Sequence, residues 1–154
     1  MAASASYLVL VVTAGLLFYI AVTDLRAYRI SNDALMSLVA LFFLHVALSG
    51  RWVDIHWNIA LAAVTFGLLL FVYAQGLAGG GDIKLLTVAI LWSGTHCVVL
   101  FLAILLVFAL LHTLAAKLEW VSAQRVNGRI KIAFAPSVAA GLIGIIMAGC
   151  LAPI

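Results

Sequence analysis

Six apolar runs separated by short polar stretches constrain this 154-residue chain more than any other feature. A helix needs about 20 apolar residues to cross the roughly 30 Å of hydrocarbon in a bilayer. The runs cover about residues 6–23, 34–49, 57–75, 83–92, 96–116 and 134–151. Only 8% of the residues are charged, against about 25% in soluble domains. We therefore predict an all-α polytopic membrane protein with about six transmembrane helices, in which residues 1–154 form a single domain without a soluble module.

The fourth and fifth runs decide the helix count. Together they extend from Ile83 to Ala116, which is too long for one transmembrane helix, whereas the fourth run alone is too short unless it begins in the preceding glycines or is tilted. The stretch Ser93-Gly94-Thr95 is the obvious break between them. Six spans is the preferred count, with four or five as the alternatives.

The basic residues predict the orientation. With the N-terminus outside the cytoplasm, seven of them fall on one side and only Arg51 falls on the other. The seven are Arg26, Arg29, Lys84, Lys117, Arg125, Arg129 and Lys131. Positive charge accumulates on cytoplasmic loops, so these seven mark the cytoplasmic face and favour contact with the lipid bilayer. These basic residues lie in loops between apolar runs and do not form one basic face. We therefore predict no nucleic-acid partner.

The cysteines and histidines predict no metal site. Cys97 and Cys150 lie in or beside apolar segments without a Cys-x-x-Cys or histidine spacing, and we interpret them as small core residues. A disulfide is the alternative if both face an oxidising compartment. His45 lies within a span, where a hydrogen bond between helices is the expected role. None of the four histidines is spaced as a metal pair, and no cofactor is predicted.

Two of the five acidic residues stand out. Asp54 and Glu119 fall in predicted loops, and Asp33 begins the second span, where an Asn or Asp cap is typical. Asp24 ends the first span, and Asp82 follows the third. Two intervening spans put both carboxylates on the same face, where a close pair can share a proton and perform acid–base chemistry. The alternative is two unrelated helix-end charges, Asp24 with Arg26 and Asp82 with Lys84.

Glycines precede the second aspartate, in the sequence Gly79-Gly80-Gly81-Asp82. Glycine allows a positive φ and the close approach of another backbone, and irregular backbone at membrane depth occurs where it is buried in protein or lines a wet cavity. The stretch is therefore suited to an extended peptide docking beside Asp82.

Three motifs resemble those of one family. The stretch from Gly79 to Leu85, GGGDIKL, is similar to the GxGD-x-K-L signature of the type IV prepilin peptidases. The stretch from Asp24 to Asn32, DLRAYRISN, resembles the first aspartate motif of that family, and residues 132–137, IAFAPS, resemble the start of its last span. The motifs occur in the family's order and span nearly the whole chain.

The resemblance implies an aspartic endopeptidase of the bacterial inner membrane with its active site facing the cytoplasm. Asp24 and Asp82 would be catalytic, and water would be the nucleophile. The substrate would be a prepilin or pseudopilin, whose leader is cut off just before its hydrophobic helix. The family usually has Pro where Ser31 stands, and another Pro is common at Ala133. The cysteine-rich cytoplasmic insert of larger members is absent, which argues against N-methylation. The compact form looks most like the peptidases of tight-adherence (Flp) pilus systems.

Four further residues are assigned to substrate binding or to shaping the site: Gly79, Gly81, Lys84 and Asn32. Lys84 is either a cation that favours the ionised form of Asp82 or a topology anchor that reaches the headgroups. Asn32 either donates to a substrate carbonyl or, as we favour, caps the second helix.

Other classes of function compete with a peptidase. The buried acids would also suit a small transporter or a proton-conducting protein, although no internal repeat is visible. A noncatalytic pilus-assembly factor would keep the fold without the chemistry. A presenilin-like protease shares the GxGD motif, but its first aspartate lies in a Tyr-Asp context that Thr23-Asp24 does not match. The sequence makes no prediction of the oligomeric state.

Overall fold

The computed structural model describes residues 2–50, 52–118, 124–126, 129–131 and 133–152. The elements in chain order are α1 (Ala2–Ala27), α2 (Asn32–Ser49), α3 (Ile55–Ala74), α4 (Gly80–Lys117), β1 (Gln124–Val126), β2 (Arg129–Lys131) and α5 (Ala135–Met147). Within these ranges, α1 to α4 are long and apolar enough to cross a membrane, and α5 is a shorter apolar helix. The prediction of an all-α polytopic membrane protein is confirmed.

Helix α4 reverses direction at Gly94. Gly94 has φ 58° and ψ −172°, which is not helical and divides α4 into residues 80–93 and 95–117. Asp82 near the start of α4 lines a cavity with Asp24 of α1, and His112 near its end lines a groove with the next residue of α1, Leu25. Both ends of α4 therefore lie at the same end of the bundle. The predicted break is confirmed, and the chain contains six helical segments in the described residues.

Helix α5 packs against α1 and α4, and α4 also packs against α2 and α3. Small residues on α5 allow close approach: a Cβ atom on Gly141 would lie 2.9 Å from the ring of Phe101, and one on Gly144 would lie 2.8 Å from Ile104 Cδ1. Small residues at helix interfaces are the usual way in which membrane helices pack closely. The most deeply buried side chains come from α1, α2, α4 and α5 and include Leu17, Ile20, Leu38, Phe42, Leu85, Trp92, Phe101, Val138, Leu142 and Ile145.

Polar side chains join helices inside the apolar bundle. Ser6 Oγ of α1 lies 3.0 Å from His45 Nδ1 of α2, so the predicted interhelical role of His45 is confirmed. The indole Nε1–H of Trp92 donates to the carbonyl oxygen of Leu38 at 3.0 Å. Such bonds satisfy polar groups that hydrocarbon cannot hydrate.

The loop after α4 contains a feature that the sequence interpretation missed. Strands β1 and β2 form an antiparallel hairpin in which Gln124 pairs with Lys131 and Val126 pairs with Arg129. In the sequence, Asn127 and Gly128 stand between the strands, and this pair is typical of a two-residue hairpin turn. Both lie outside the described residues. The polar segment Lys117–Lys131 was predicted only to be a cytoplasmic loop.

A disulfide joins Cys97 and Cys150, which corrects the interpretation of both residues as core thiols. Cys97 lies in the first turn of the second half of α4, and Cys150 lies in the turn after α5. Their Cα atoms are 6.2 Å apart, within the usual range for a disulfide. The bond lies at the Gly94 end of the bundle, separated from Asp82 by the first half of α4, which extends about 20 Å at 1.5 Å per residue.

Part of the predicted charge asymmetry lies beyond the described structure. Arg51 and Glu119 are outside the described residues, and the side chains of Arg125, Arg129 and Lys131 are not described. The orientation of the bundle in the membrane therefore stays a prediction.

Candidate active site

The two aspartates selected from the sequence line one cavity of about 310 Å³ at an end of the bundle. Its other lining residues come from two loops: Tyr28, Arg29 and Ile30 after α1, and Gly79, Gly80 and Gly81 before and at the start of α4. The volume is at the lower end of the range typical of ligand pockets. The fold thus brings together residues that are 58 positions apart in the sequence, since 82 − 24 = 58.

Asp24 lies in the last turn of α1 and is 4% exposed. A buried carboxylate is costly unless hydrogen bonds compensate for lost water, and the end of its own helix is unfavourable for negative charge. The compensation comes from α5, because the backbone N–H of Ala135 donates to Asp24 Oδ2 at 3.0 Å. Ala135 is the first residue of α5, where backbone N–H groups have no partner within the helix and favour an anion.

The chain turns sharply after Asp24. Tyr28 has φ 50°, a left-handed conformation that is uncommon for a bulky residue, and its backbone N–H donates to the carbonyl oxygen of Asp24 at 2.8 Å. The turn ends α1 and directs Tyr28, Arg29 and Ile30 along the cavity. Backbone strain of this kind is concentrated at functional sites.

Asp82 occupies the third position of α4, after the N-cap residue Gly79. This position is electrostatically favourable for a carboxylate because the helix dipole is positive there. A Cβ atom built on Gly79 would lie 2.8 Å from Asp82 Oδ2, so the carboxylate folds back over the N-cap residue as in a capping box. The absence of a side chain at Gly79 leaves the space that the carboxylate occupies.

Close approach to Asp82 explains the glycine at position 79, whereas a positive φ explains none of the three glycines. The glycines with positive φ among the described residues are Gly50, Gly76, Gly94 and Gly149, so none belongs to the triplet before Asp82. A Cβ atom on Gly81 would lie 3.4 Å from Ile30. This is an ordinary contact distance, so Gly81 marks where the two loops of the cavity meet, but the space there does not require a glycine.

The N-terminus of α2 corrects two cap assignments. Ser31 is the N-cap and its side chain accepts from the backbone N–H of Asp33 at 3.2 Å, so neither Asn32 nor Asp33 is the cap. The chain is extended at Ser31 (φ −68°, ψ 134°), the geometry of an N-cap. Serine supplies a hydroxyl acceptor there, which the proline common in the resembling family lacks.

Asn32 instead contacts Lys84, which was also assigned to substrate binding or to shaping the site. The ammonium group of Lys84 donates to Asn32 Oδ1 at 3.2 Å, and the contact is exposed. This contact joins the N-terminal ends of α2 and α4. Asn32 lies two residues after Ile30, and Lys84 lies two residues after Asp82. The roles assigned to Asn32 and Lys84 toward substrate stay predictions.

The structure adds groups that the sequence interpretation did not assign to the site. The most important is the backbone N–H of Ala135. Nothing in the identity of the alanine side chain indicates this role. The motif at residues 132–137 marked this segment, and Pro136 in the first turn of a helix is typical of a helix start. The cavity is also lined by three residues of the first aspartate motif to which no role in the site was assigned, namely Tyr28, Arg29 and Ile30.

The remaining described acids lie elsewhere. Asp33 is exposed in the first turn of α2. Asp54 lies at the Gly94 end, with its Oδ2 3.5 Å from His96 Nε2. In the part of the chain that the structure describes, no three His, Cys, Asp or Glu residues are grouped as a metal site, and the absence of a metal requirement stays a prediction.

The arrangement defines a polytopic membrane protein with two carboxylates in one cavity at the end of a helical bundle. A family model described as the type IV leader peptidase family matches residues 11–114, which is more than half of the chain. The chain therefore belongs to the type IV leader peptidase family, a family of proteases whose substrates are prepilins. Neither the curated proteins nor the solved structures gave a significant match.

Proposed function

We propose that this protein is a membrane aspartic endopeptidase that cleaves the leader from a type IV prepilin or pseudopilin. One observation carries the proposal: Asp24 and Asp82 line the same cavity. Each carboxylate is placed at a helix N-terminus, Asp24 at that of α5 and Asp82 at that of α4. The family membership supports the substrate class.

The proposed reaction is hydrolysis of one peptide bond. One aspartate, ionised, takes a proton from water, and the hydroxide attacks the carbonyl carbon while the other aspartate, protonated, donates to the carbonyl oxygen. The tetrahedral intermediate then collapses as the aspartate that took the proton from water gives it to the leaving nitrogen, while the other aspartate recovers its proton from a hydroxyl group of the intermediate. The C–N bond breaks, which gives a carboxylic acid and a new amino terminus. The protein supplies both proton-transfer groups and holds them in place, and no cofactor takes part.

The proposed orientation places the cavity at the cytoplasmic face of the bacterial inner membrane. Arg29 lines the cavity and Lys84 lies beside it. Because basic residues accumulate on the cytoplasmic side, both favour the cytoplasmic face for this end of the bundle. The disulfide lies at the other end, and disulfides persist in oxidising compartments such as the bacterial periplasm. Two independent features therefore favour the same orientation.

The proposal is tested by mass spectrometry of a prepilin from the same genome, expressed with and without this protein. We expect the mature pilin to lack its leader only when the protein is present. The same measurement shows the cleavage site and any methyl group on the new terminus, and we expect no methyl group. An uncleaved prepilin in the presence of the membrane-inserted protein would refute the proposal.

Gly79→Ala is expected to impair cleavage more than it impairs stability. The new methyl group would lie 2.8 Å from Asp82 Oδ2, closer than packing permits, so the carboxylate has to move. A displacement of about 1 Å at a reacting group can lower a rate about 10²-fold. The measurement is the initial rate of prepilin cleavage by the purified variant, compared with its thermal unfolding in detergent.

Gly80→Ala is the matched control. A Cβ atom on Gly80 would meet Tyr73 at 3.6 Å, an ordinary contact, and alanine is the better helix former. We expect this variant to cleave prepilin at nearly the wild-type rate. Equal rates for the two variants would show that contact with Asp82 does not explain the glycine at position 79.

The disulfide gives an independent test of orientation. In wild-type cells we expect Cys97 and Cys150 to resist alkylation by a polyethylene-glycol maleimide after denaturation, and to react once the protein has been reduced. In cells that lack the periplasmic thiol oxidase, both should react without prior reduction. Alkylation of both thiols in unreduced wild-type protein would contradict the periplasmic placement of this end.

A further inference from the structure

A second concave surface begins beside the cavity and runs along the bundle. This groove has a volume of about 490 Å³, and its walls are Asn32, Leu35, Met36 and Val39 of α2, Phe66 of α3, and Lys84, Thr87 and Val88 of α4. The α2 residues follow the spacing i, i+3, i+4, i+7, which is one face of a helix. The groove therefore runs parallel to α2, along the predicted direction of the membrane normal.

The groove has a polar mouth and an apolar body. Asn32 and Lys84 form the mouth through their hydrogen bond. Further along, the one hydroxyl, that of Thr87, donates to the carbonyl oxygen of Ile83 at 2.8 Å within its own helix. Met36 is 68% exposed and Phe66 is 36% exposed, so apolar side chains are available for contact. A surface of this kind suits an apolar helix whose end is polar.

The mouth adjoins the catalytic cavity. Ile30 and Gly81 line the cavity and pack against each other, and the chain reaches Asn32 and Lys84 after two and three residues respectively. A substrate whose scissile bond lies between the aspartates would therefore continue directly into the groove. The order of surfaces is cavity, polar mouth and apolar groove, which matches a polar leader followed by an apolar segment.

Another groove of about 430 Å³ lies near the site and includes Leu25, Leu111, His112 and Pro136. It is lined by α1, the second half of α4 and α5. The hydrogen bond between Asp24 and Ala135 joins α1 to α5 on that side of the cavity. Substrate passing from the cavity to this groove would have to separate the two helices that hold Asp24.

We propose that the groove between α2 and α3 binds the apolar helix that follows the leader in the substrate. The inference rests on the proposed function and deepens it by naming where the uncleaved part of the substrate packs. Helices α2 and α3 both pack against α4, and a substrate helix in the groove would contact all three. The expected occupant is the substrate helix, and the experiments below distinguish it from a lipid chain and from a second copy of this protein.

The test compares two substrates in vesicles of phosphatidylethanolamine and phosphatidylglycerol. One is a full-length prepilin from the same genome, and the other is a peptide that contains its leader and stops just after the cleavage site. Met36→Trp, which fills the groove, is expected to lower cleavage of the full-length prepilin by about tenfold or more, the loss from disturbing one anchor of an interface. Its cleavage of the peptide is expected to match that of the wild type, which also shows that the variant folds.

Leu111→Trp is the matched control, because Leu111 is 57% exposed and lines the other groove. We expect it to cleave both substrates at the wild-type rate. The inference is refuted if Met36→Trp cleaves the full-length prepilin at the wild-type rate, or if its cleavage of both substrates falls equally. It is also refuted if only Leu111→Trp shows reduced cleavage of the full-length prepilin. Failure of the wild-type protein to cleave either substrate would instead refute the proposed function.

A cross-linking experiment identifies the occupant even without turnover. Benzoylphenylalanine in place of Met36, in protein that also carries Asp82→Asn, is expected to capture the uncleaved prepilin on illumination. The same probe in place of Leu111 should not capture it. Products that contain only lipid, or only a second copy of this protein, would overturn the assignment of the groove.

Discussion

Replacement of Asp24 or Asp82 by asparagine is expected to lower prepilin cleavage by about 10²–10⁴-fold or more, because each variant removes a group that transfers a proton in the reaction. The fold should be retained. The amide oxygen of Asp24→Asn can still accept from the N–H of Ala135, which lies 3.0 Å from the native carboxylate. The measurement is the initial rate of cleavage by purified protein in lipid vesicles.

Asp33→Asn is the appropriate control for this pair. Asp33 is exposed in the first turn of α2 and does not line the cavity, so its loss should leave the rate almost unchanged. If Asp24→Asn or Asp82→Asn processed prepilin at the wild-type rate, that aspartate would have no part in the mechanism. Insertion of each variant is checked by its yield in the membrane fraction.

Gly94→Ala is expected to have the largest effect on stability. The dihedral angles of Gly94 (φ 58°, ψ −172°) belong to a region that is essentially limited to glycine. An added Cβ atom would also lie 2.6 Å from both Asn58 Oδ1 and Nδ2. The backbone strain and the steric overlap together should lower the free energy of unfolding by about 2–4 kcal/mol, measured by thermal or denaturant unfolding in detergent micelles.

Gly67→Ala provides the comparison, because Gly67 lies within α3 and a Cβ atom there meets nothing within 4 Å. Alanine is favoured over glycine in a helix by about 1 kcal/mol, so this variant should be as stable as the wild type or more so. If the Gly94→Ala variant unfolded at the same temperature or denaturant concentration as the wild type, the reversal of α4 would not depend on glycine.

Most of the fold could be predicted because hydropathy fixes where helices form. The third run, predicted at about residues 57–75, corresponds to α3 (Ile55–Ala74), and the predicted break at Gly94 was confirmed. Placing Asp24 and Asp82 on one face required only counting two intervening spans. Apolar runs and the number of spans between two residues can be read directly from the sequence, so no tertiary information was needed.

The rest depended on tertiary contacts that have no local signature. The donor to Asp24 is a backbone N–H 111 residues away, and any residue except proline carries such a group. The disulfide was only the alternative interpretation, because the pairing of Cys97 with Cys150 depends on how α4 and α5 pack. The cap of α2 was misassigned because Ser31, Asn32 and Asp33 are all good capping residues, and the backbone conformation decides among them.

The hydrogen bond between Ala135 and Asp24 also sets the order in which the proposed enzyme can be assembled. Asp24 lies in the last turn of α1, and its donor begins α5, which the ribosome synthesises later. Both aspartates have been synthesised well before α5 appears, yet the buried Asp24 has no Ala135 amide to hold it during that interval. A nascent chain is therefore expected to cleave prepilin only after α5 has inserted and its first N–H has reached Asp24.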